Sequence, residues 1–177
     1  QDLRPVALMA SFPLSLIAHP SVPYRDLRGM VAAAKAAPGK VDYASSGVGS
    51  SGHLAMETLQ TAAGIKMNHL PYKGGIPALN DVVAGHVPLL WGSVTACAPQ
   101  VRAGKVVALA VGSRERAPLL AEVPTAIEQG FTNYTAGNWL AVFGSAKMPD
   151  ELVRRLHADF TALGQDESFR KTLVSLG

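Results

Sequence analysis

Two hydrophobic periods alternate along this chain. Val106-Val107-Ala108-Leu109-Ala110-Val111 is short and continuously apolar, the pattern of a strand covered on both faces. Leu27, Met30, Val31 and Ala34 recur at helical spacing within residues 24–37, and Pro38-Gly39 stops that helix. Ahead of it, residues 3–10 read as a strand, Ser11-Phe12-Pro13 as a break, and residues 14–19 as a second strand. The alternation then continues: a strand from Val41, a helix over 52–63 stopped by Gly64, and a strand over 65–70. A helix over 76–84 follows, with Pro77 tolerated in its first turn, then a strand over 87–91. The helix over 94–103 is expected to be kinked or shortened by Pro99, and the strand over 106–111 follows it.

The remainder is less regular. Residues 113–123 read as a loop, 124–130 as a short helix, and 138–143 as a strand carrying Trp139 and Phe143. Asp150 is expected to cap a helix over 150–164 with Leu152, Leu156, Phe160 and Leu163 on one stripe. Asp166 starts a last helix that carries Phe169 and Leu173.

Repeated strand, small-residue turn and helix predict an α/β fold, a sheet with mostly parallel central strands flanked by helices. Such sheets bind ligands outside the carboxyl ends of their strands. The turns after Ser45, Pro71 and Gly92 all belong to that edge. The first is the most informative, because residues 45–52 hold only Ser, Gly and one Val before a helix begins. Ser50 or Ser51 is its natural N-cap. The unpaired N–H groups and positive dipole end of that helix make an anion site with no bulky side chain over it. Gly47, Gly49 and Gly52 also spell the G-x-G-x-x-G of dinucleotide-binding turns. That motif needs an acid about 20 residues on, where this chain has Asn68-His69-Leu70-Pro71-Tyr72-Lys73 instead. Lys73 leaves room for a 2′-phosphate, so an NADP-type oxidoreductase domain is the alternative, and a plain flexible turn the simplest one.

Composition narrows the field. With 177 residues, 48% hydrophobic and 16% charged, the chain can bury a real core. The net charge of +3 comes without a Lys/Arg run or a ladder of basic and aromatic residues, so no nucleic-acid partner is expected. No apolar stretch approaches the length of a membrane span, so no insertion is expected. The single Cys97 reads as a small buried hydrophobe, and Trp91 as core. No Gly-x-Ser-x-Gly elbow and no His-x-x-x-His or Cys-x-x-Cys pair occurs, so neither catalysis, metal nor cofactor is expected.

Tyr43-Ala44-Ser45-Ser46-Gly47-Val48-Gly49-Ser50-Ser51-Gly52-His53-Leu54-Ala55-Met56-Glu57 and His69-Leu70-Pro71-Tyr72-Lys73-Gly74-Gly75-Ile76-Pro77-Ala78-Leu79 together resemble the Bug-type solute receptors of tripartite tricarboxylate transporters. Ala103-Gly104-Lys105-Val106-Val107-Ala108-Leu109-Ala110-Val111 and Glu122-Val123-Pro124-Thr125 continue the likeness in order. The resemblance implies a periplasmic, two-domain fold like the type II periplasmic binding proteins, closing on a small di- or tricarboxylate for delivery to the transporter's membrane components. By the same resemblance the first third of such a receptor and a short C-terminal piece lie outside this chain. Residues 1–10 would cross from domain 1, 11–133 would form the ligand-binding domain 2, and 134–177 would be an incomplete return to domain 1. Trp139, Phe143, Leu152, Leu156 and Phe160 would then lack part of their cover within the chain.

The candidate ligand-binding residues are Ser11, Ser46, Gly47, Gly49, Ser50, Ser51, His53, Tyr72, Lys73, Gly74, Gly75 and Ser93. The carboxylate is expected at the amides of residues 49–52, with a second anchor from the turn at 72–75. His53 either faces the ligand or makes a structural hydrogen bond. Two departures from the family pattern stand out. Trp91-Gly92-Ser93 replaces a Phe-Asp-Asn, losing an acid that could meet an ammonium group, and Gly144-Ser145-Ala146-Lys147-Met148-Pro149 replaces an Ala-Pro-x-Gly-Thr-Pro.

Overall fold

A computed structural model describes residues 2–176. The chain divides into two compact units, Gln1–Phe12 with Trp139–Gly177, and Pro13–Asn138.

The larger unit is a mixed sheet with helices on both faces. Its strands are β1 (Leu3–Ala18, which begins in the other unit), β2 (Asp42–Ser45), β3 (Asn68–Pro71), β4 (Leu89–Ser93) and β5 (Val107–Val111), in the order β3-β2-β4-β1-β5. β2 is parallel to both β3 and β4, whereas β1 is antiparallel to β4 and β5. The four strands expected to be parallel therefore share one direction, and β1 runs against them between β4 and β5. The helices are α1 (Leu27–Ala36), α2 (Ser51–Ala63), α3 (Gly75–Val83) and α4 (Val94–Arg102).

Period-two alternation assigns the faces. Leu16, Tyr43, Leu89, Trp91 and Leu109 turn towards α1 and α2, where they meet Leu27, Met30, Met56 and Leu59. Ile17, Ala44 and Leu90 turn the other way, onto Ala78, Leu79 and Val82 of α3 and Cys97 of α4. Each large side chain fully buried this way contributes roughly 1.5–3 kcal/mol. Buried Gln129 ties the layers together: its Oε1 accepts from the Leu27 amide at 2.7 Å and its Nε2 donates to the Leu109 carbonyl at 2.8 Å. Cys97 is fully buried, and burial pushes its thiol up to about 11.

Three local expectations need correcting. Ser11-Phe12-Pro13 does not break the first strand, which runs unbroken through β1. Proline already holds an extended φ and confines the residue before it to extended backbone, so it interrupts the ladder without ending the strand. Residues 124–130 form turns rather than a helix. Thr125 and Glu128 do exchange the two bonds of a capping box, at 2.6 and 3.0 Å. Thr125 also bridges Val111 of β5, however, and Gly130 leaves at φ 99°, so only one turn fits. Asp150 does not cap its helix. It is the first helical residue, and its carboxylate binds Arg4 at 2.6 Å, which holds the carboxyl below its usual range.

The smaller unit holds the first part of β1, the strand β6 (Gly137–Ser145) that pairs with it, and helices α5 (Asp150–Gln165) and α6 (Glu167–Leu176). Asp166 caps α6, accepting from the Phe169 amide at 2.8 Å. Trp139, Phe143 and Leu152 stand 59%, 44% and 43% exposed, and Leu156 and Phe160 are half-buried. The unit thus leaves an apolar face uncovered by the described residues.

Two stability predictions follow from close contacts in the larger unit. Gly112 is buried among Leu14 and Ala136, bonding both backbones at 2.8 Å, and a Cβ there would collide with the Ala136 carbonyl oxygen. Gly112→Ala is expected to lower unfolding stability by about 1–3 kcal/mol, read from urea melts of the full-length protein. Ser50 caps α2 by accepting from the His53 amide. Ser50→Ala is expected to cost about 1 kcal/mol in the same melts, whereas Ser51→Ala removes no cap.

Candidate functional site

The carboxyl ends of β3, β2 and β4 are neighbours, and each leads over a short connection, or directly, into a helix. α2 starts at Ser51, α3 at Gly75 and α4 at Val94, so three helix N-termini gather along one edge. Their caps differ. Ser50 and Ser93 use their hydroxyls, accepting from His53 and Ala96, whereas Gly74 has no side chain with which to cap α3.

The turn after β2 is held by its own hydrogen bonds. The Ser45 hydroxyl takes the Gly47 amide at 3.1 Å, lies 3.0 Å from the Gly47 carbonyl, and meets His69 Nε2 at 2.6 Å. Gly47 takes φ 136° and Gly49 φ 78°, conformations that favour glycine. The Ser50 amide donates back to the Gly47 carbonyl at 3.2 Å. The Gly49 amide donates to His53 Nδ1 at 3.1 Å. Of the four amides expected to meet an anion, two are therefore occupied within the turn. Those of Ser51 and Gly52, the first two helical residues, meet no acceptor among the described residues.

Gly52 explains how closely α2 seats. A Cβ there would stand 2.5 Å from the Trp91 carbonyl oxygen, so only glycine lets the helix start lie directly over β4. Trp91 is 2% exposed, as a core residue should be, and its Nε1 is the single buried side-chain donor without a partner among the described residues. The Ser51 hydroxyl donates to Asn138 Oδ1 at 3.0 Å. Ser46 and Val48 are exposed at the tip of the turn.

The second turn lies against the first. The Tyr72 amide donates to the Ser45 carbonyl at 3.0 Å, and a Cβ on Gly47 would meet the Tyr72 carbonyl oxygen at 3.3 Å. The Tyr72 hydroxyl donates to Asp81 at 2.6 Å, which raises the phenol to about 12 and lowers the Asp81 carboxyl. Lys73 is exposed. The amides of Gly75 and Ile76 meet no acceptor among the described residues, and Gly75 has open space where a Cβ would stand. Ser93 is half-buried at the third helix start. Ser11 is an exposed residue of β1 in the other unit, whereas the remaining eleven candidates share this one.

Two contributors went unnamed at the level of sequence, Ser45 and His69. Tyr43 and His69 are register partners on adjacent parallel strands, which stacks their rings at 4.9 Å. What the sequence lacked was the pairing of β2 with β3. Among the described residues no group of three or more His, Cys, Asp or Glu is placed to hold a metal ion, and no helix is long and apolar enough to cross a membrane.

Over residues 1–177 the chain matches the family described as the tripartite tricarboxylate transporter family receptor, TctC. Protein BugT of Bordetella pertussis is 35% identical over the whole chain, which spans 54% of BugT. The solved structure of R. palustris Rpa4515 with adipate superposes with a TM-score of 0.91 at 31% identity, covering 100% of this chain and 59% of that one. MatC of Rhodopseudomonas palustris with bound malate gives 0.89 at 28% identity, covering 99% and 60%. The chain spans about half the length of most of the curated relatives it matches. These relatives do not favour the dinucleotide reading of Gly47, Gly49 and Gly52. With a match along its entire length, an α/β sheet of the periplasmic-binding-protein kind and a row of open helix starts, the chain belongs to the receptor family of the tripartite tricarboxylate transporters.

Proposed function

We propose that this chain carries the ligand-binding domain of a periplasmic receptor, which captures a small di- or tricarboxylate for the membrane components of a tripartite tricarboxylate transporter. The observation that carries the reading is the gathering of α2, α3 and α4 starts on neighbouring strand ends, with amides at Ser51, Gly52, Gly75 and Ile76 lacking acceptors among the described residues. A carboxylate supplies acceptors and negative charge, the two things such an edge lacks. Adipate in Rpa4515 and malate in MatC support the ligand class. Membership of the family supports both the periplasmic setting and the transporter partner.

In this reading Ser51, Gly52 and Gly75 offer backbone donors, with Ser46, Ser50, Tyr72, Lys73, Gly74 and Ser93 around them. Gly47 and Gly49 shape the turn. Lys73 adds a mobile positive charge from solvent. These groups hold an anion without reacting with it, so the site binds and releases its ligand unchanged.

Calorimetry on the full-length protein tests the assignment. At least one of adipate, malate and citrate should release or absorb heat of binding, and NADP should not. Gly75→Val places bulk in open space at a position without positive φ, so the fold should tolerate it. The new side chain would bar a carboxylate from the retained residue-75 amide, and the charge-assisted hydrogen bond lost in that way, worth roughly 1.5–3 kcal/mol, should weaken carboxylate binding about tenfold or more. A folded Gly75→Val variant with unchanged affinity would sink the assignment.

A further inference from the structure

His53 and His69 form a stack that the binding reading does not use. Their rings lie 4.0 Å apart at 17°, and Tyr43 stacks on the far side of His69 at 4.9 Å and 20°. Two of the three rings each touch the turn after β2. His53 Nδ1 accepts the Gly49 amide at 3.1 Å, and His69 Nε2 meets Ser45 Oγ, the hydroxyl that also receives the Gly47 amide. Both glycines are at positive φ, and these bonds, with that from the Ser50 amide to the Gly47 carbonyl, hold the turn.

We propose that His53 is a positioning residue for the carboxylate site, holding Gly49 through an unprotonated Nδ1, with His69 orienting its ring. This inference rests on the reading of the turn after β2 as part of that site. An imidazole that accepts at Nδ1 carries its single proton on Nε2, which here faces Glu57 at 3.9 Å. A second proton would go to Nδ1, directly opposite the Gly49 N–H. Two donors would then confront each other, the Gly49 bond would be lost, and the turn would lose its hold. Receptor affinity should therefore fall on acidification, the reverse of what two extra positive charges near an anion would give.

The groups bearing on the stack are known on each side. Glu57, on α2, receives the Tyr43 hydroxyl at 2.7 Å and favours a charged His69, while His53 opposes charge on it. Burial first, and then His53, hold His69 below the ordinary imidazole range. The unfolded chain thus binds that proton more readily than the native one. The stabilisation from His69 is present above the unfolded-state value near 6.5 and is lost as pH falls towards its folded-state value.

The test uses the full-length protein, with adipate and malate as probes, from about pH 8 to about pH 5.5, spanning the ordinary imidazole value. His53→Asn puts an amide oxygen where Nδ1 stood and does not titrate, and His53→Ala removes the acceptor. The wild type should lose about tenfold in affinity across the range. His53→Asn should retain tight binding at low pH, and His53→Ala should bind weakly throughout. Protonation of the ligand is common to all three proteins, so the difference between profiles isolates the ring. Identical profiles in the wild type and His53→Asn, or affinity that rises on acidification, would overturn the inference. If neither probe binds at any pH, the site reading itself fails, and hydrogen exchange at the Gly49 amide decides the inference independently. Protection that disappears with acid in the wild type but persists in His53→Asn supports it, and protection independent of pH in the wild type overturns it.

Discussion

A helix that begins inside a turn of serine and glycine leaves its first amides without intrahelical acceptors, and nothing bulky is present to cover them. Three helix starts stand side by side at one sheet edge here, which makes that edge short of acceptors and positive in potential. The remaining features of the larger unit serve to keep those starts in place. Gly52 lets α2 seat on the Trp91 backbone, Ser45 and His53 pin the glycines of the first turn, and the Tyr72 amide locks the second turn to the first. Satisfying part of the edge internally is as important as leaving part open. Were all the amides free, the turn would have no fixed shape. Because Gly49 and Ser50 are engaged, Ser51 and Gly52 present a fixed pair.

The sheet carries this edge because its two faces are sorted by single-residue alternation. Leu16 and Ile17, or Tyr43 and Ala44, go to opposite layers, so a shift of one residue would exchange them. Buried Gln129 then fixes α1 to β5, and the Tyr134 hydroxyl fixes the 130s to the Ala55 carbonyl of α2 at 2.8 Å. Both are long-range polar contacts within an apolar interior, where loss of a partner is costly.

Much of this was legible beforehand. Periods of two and 3.6 placed the strand–helix repeats to within a few residues, and the Ser/Gly composition of residues 45–52 marked the helix start. The failures share one cause, a long-range partner overriding a local signal. Asp150 looked like a cap, but Arg4, 146 residues away in sequence, takes its carboxylate. Residues 124–130 read as a short helix, but Val111 holds Thr125 in a bridge. Ser11-Phe12-Pro13 looked like a break, yet the strand continues because its pairing partners resume from Leu14 onward. Within the site, the donors at 51–52 could be anticipated from composition. A structural hydrogen bond from His53 was one of its two readings, but that its partner is the Gly49 amide could not be anticipated, because the ring stacks on His69 of β3.

In the proposed function the ligand's carboxylate is held by backbone amides at neighbouring helix starts. A crystal structure of the full-length protein with adipate or malate bound tests it most directly. Carboxylate oxygens are expected within about 3 Å of the Ser51 or Gly52 amide nitrogens, with the turn at Gly74 and Gly75 as the adjoining contact. A carboxylate seated away from α2 and α3, held by lysine or arginine side chains, would contradict it.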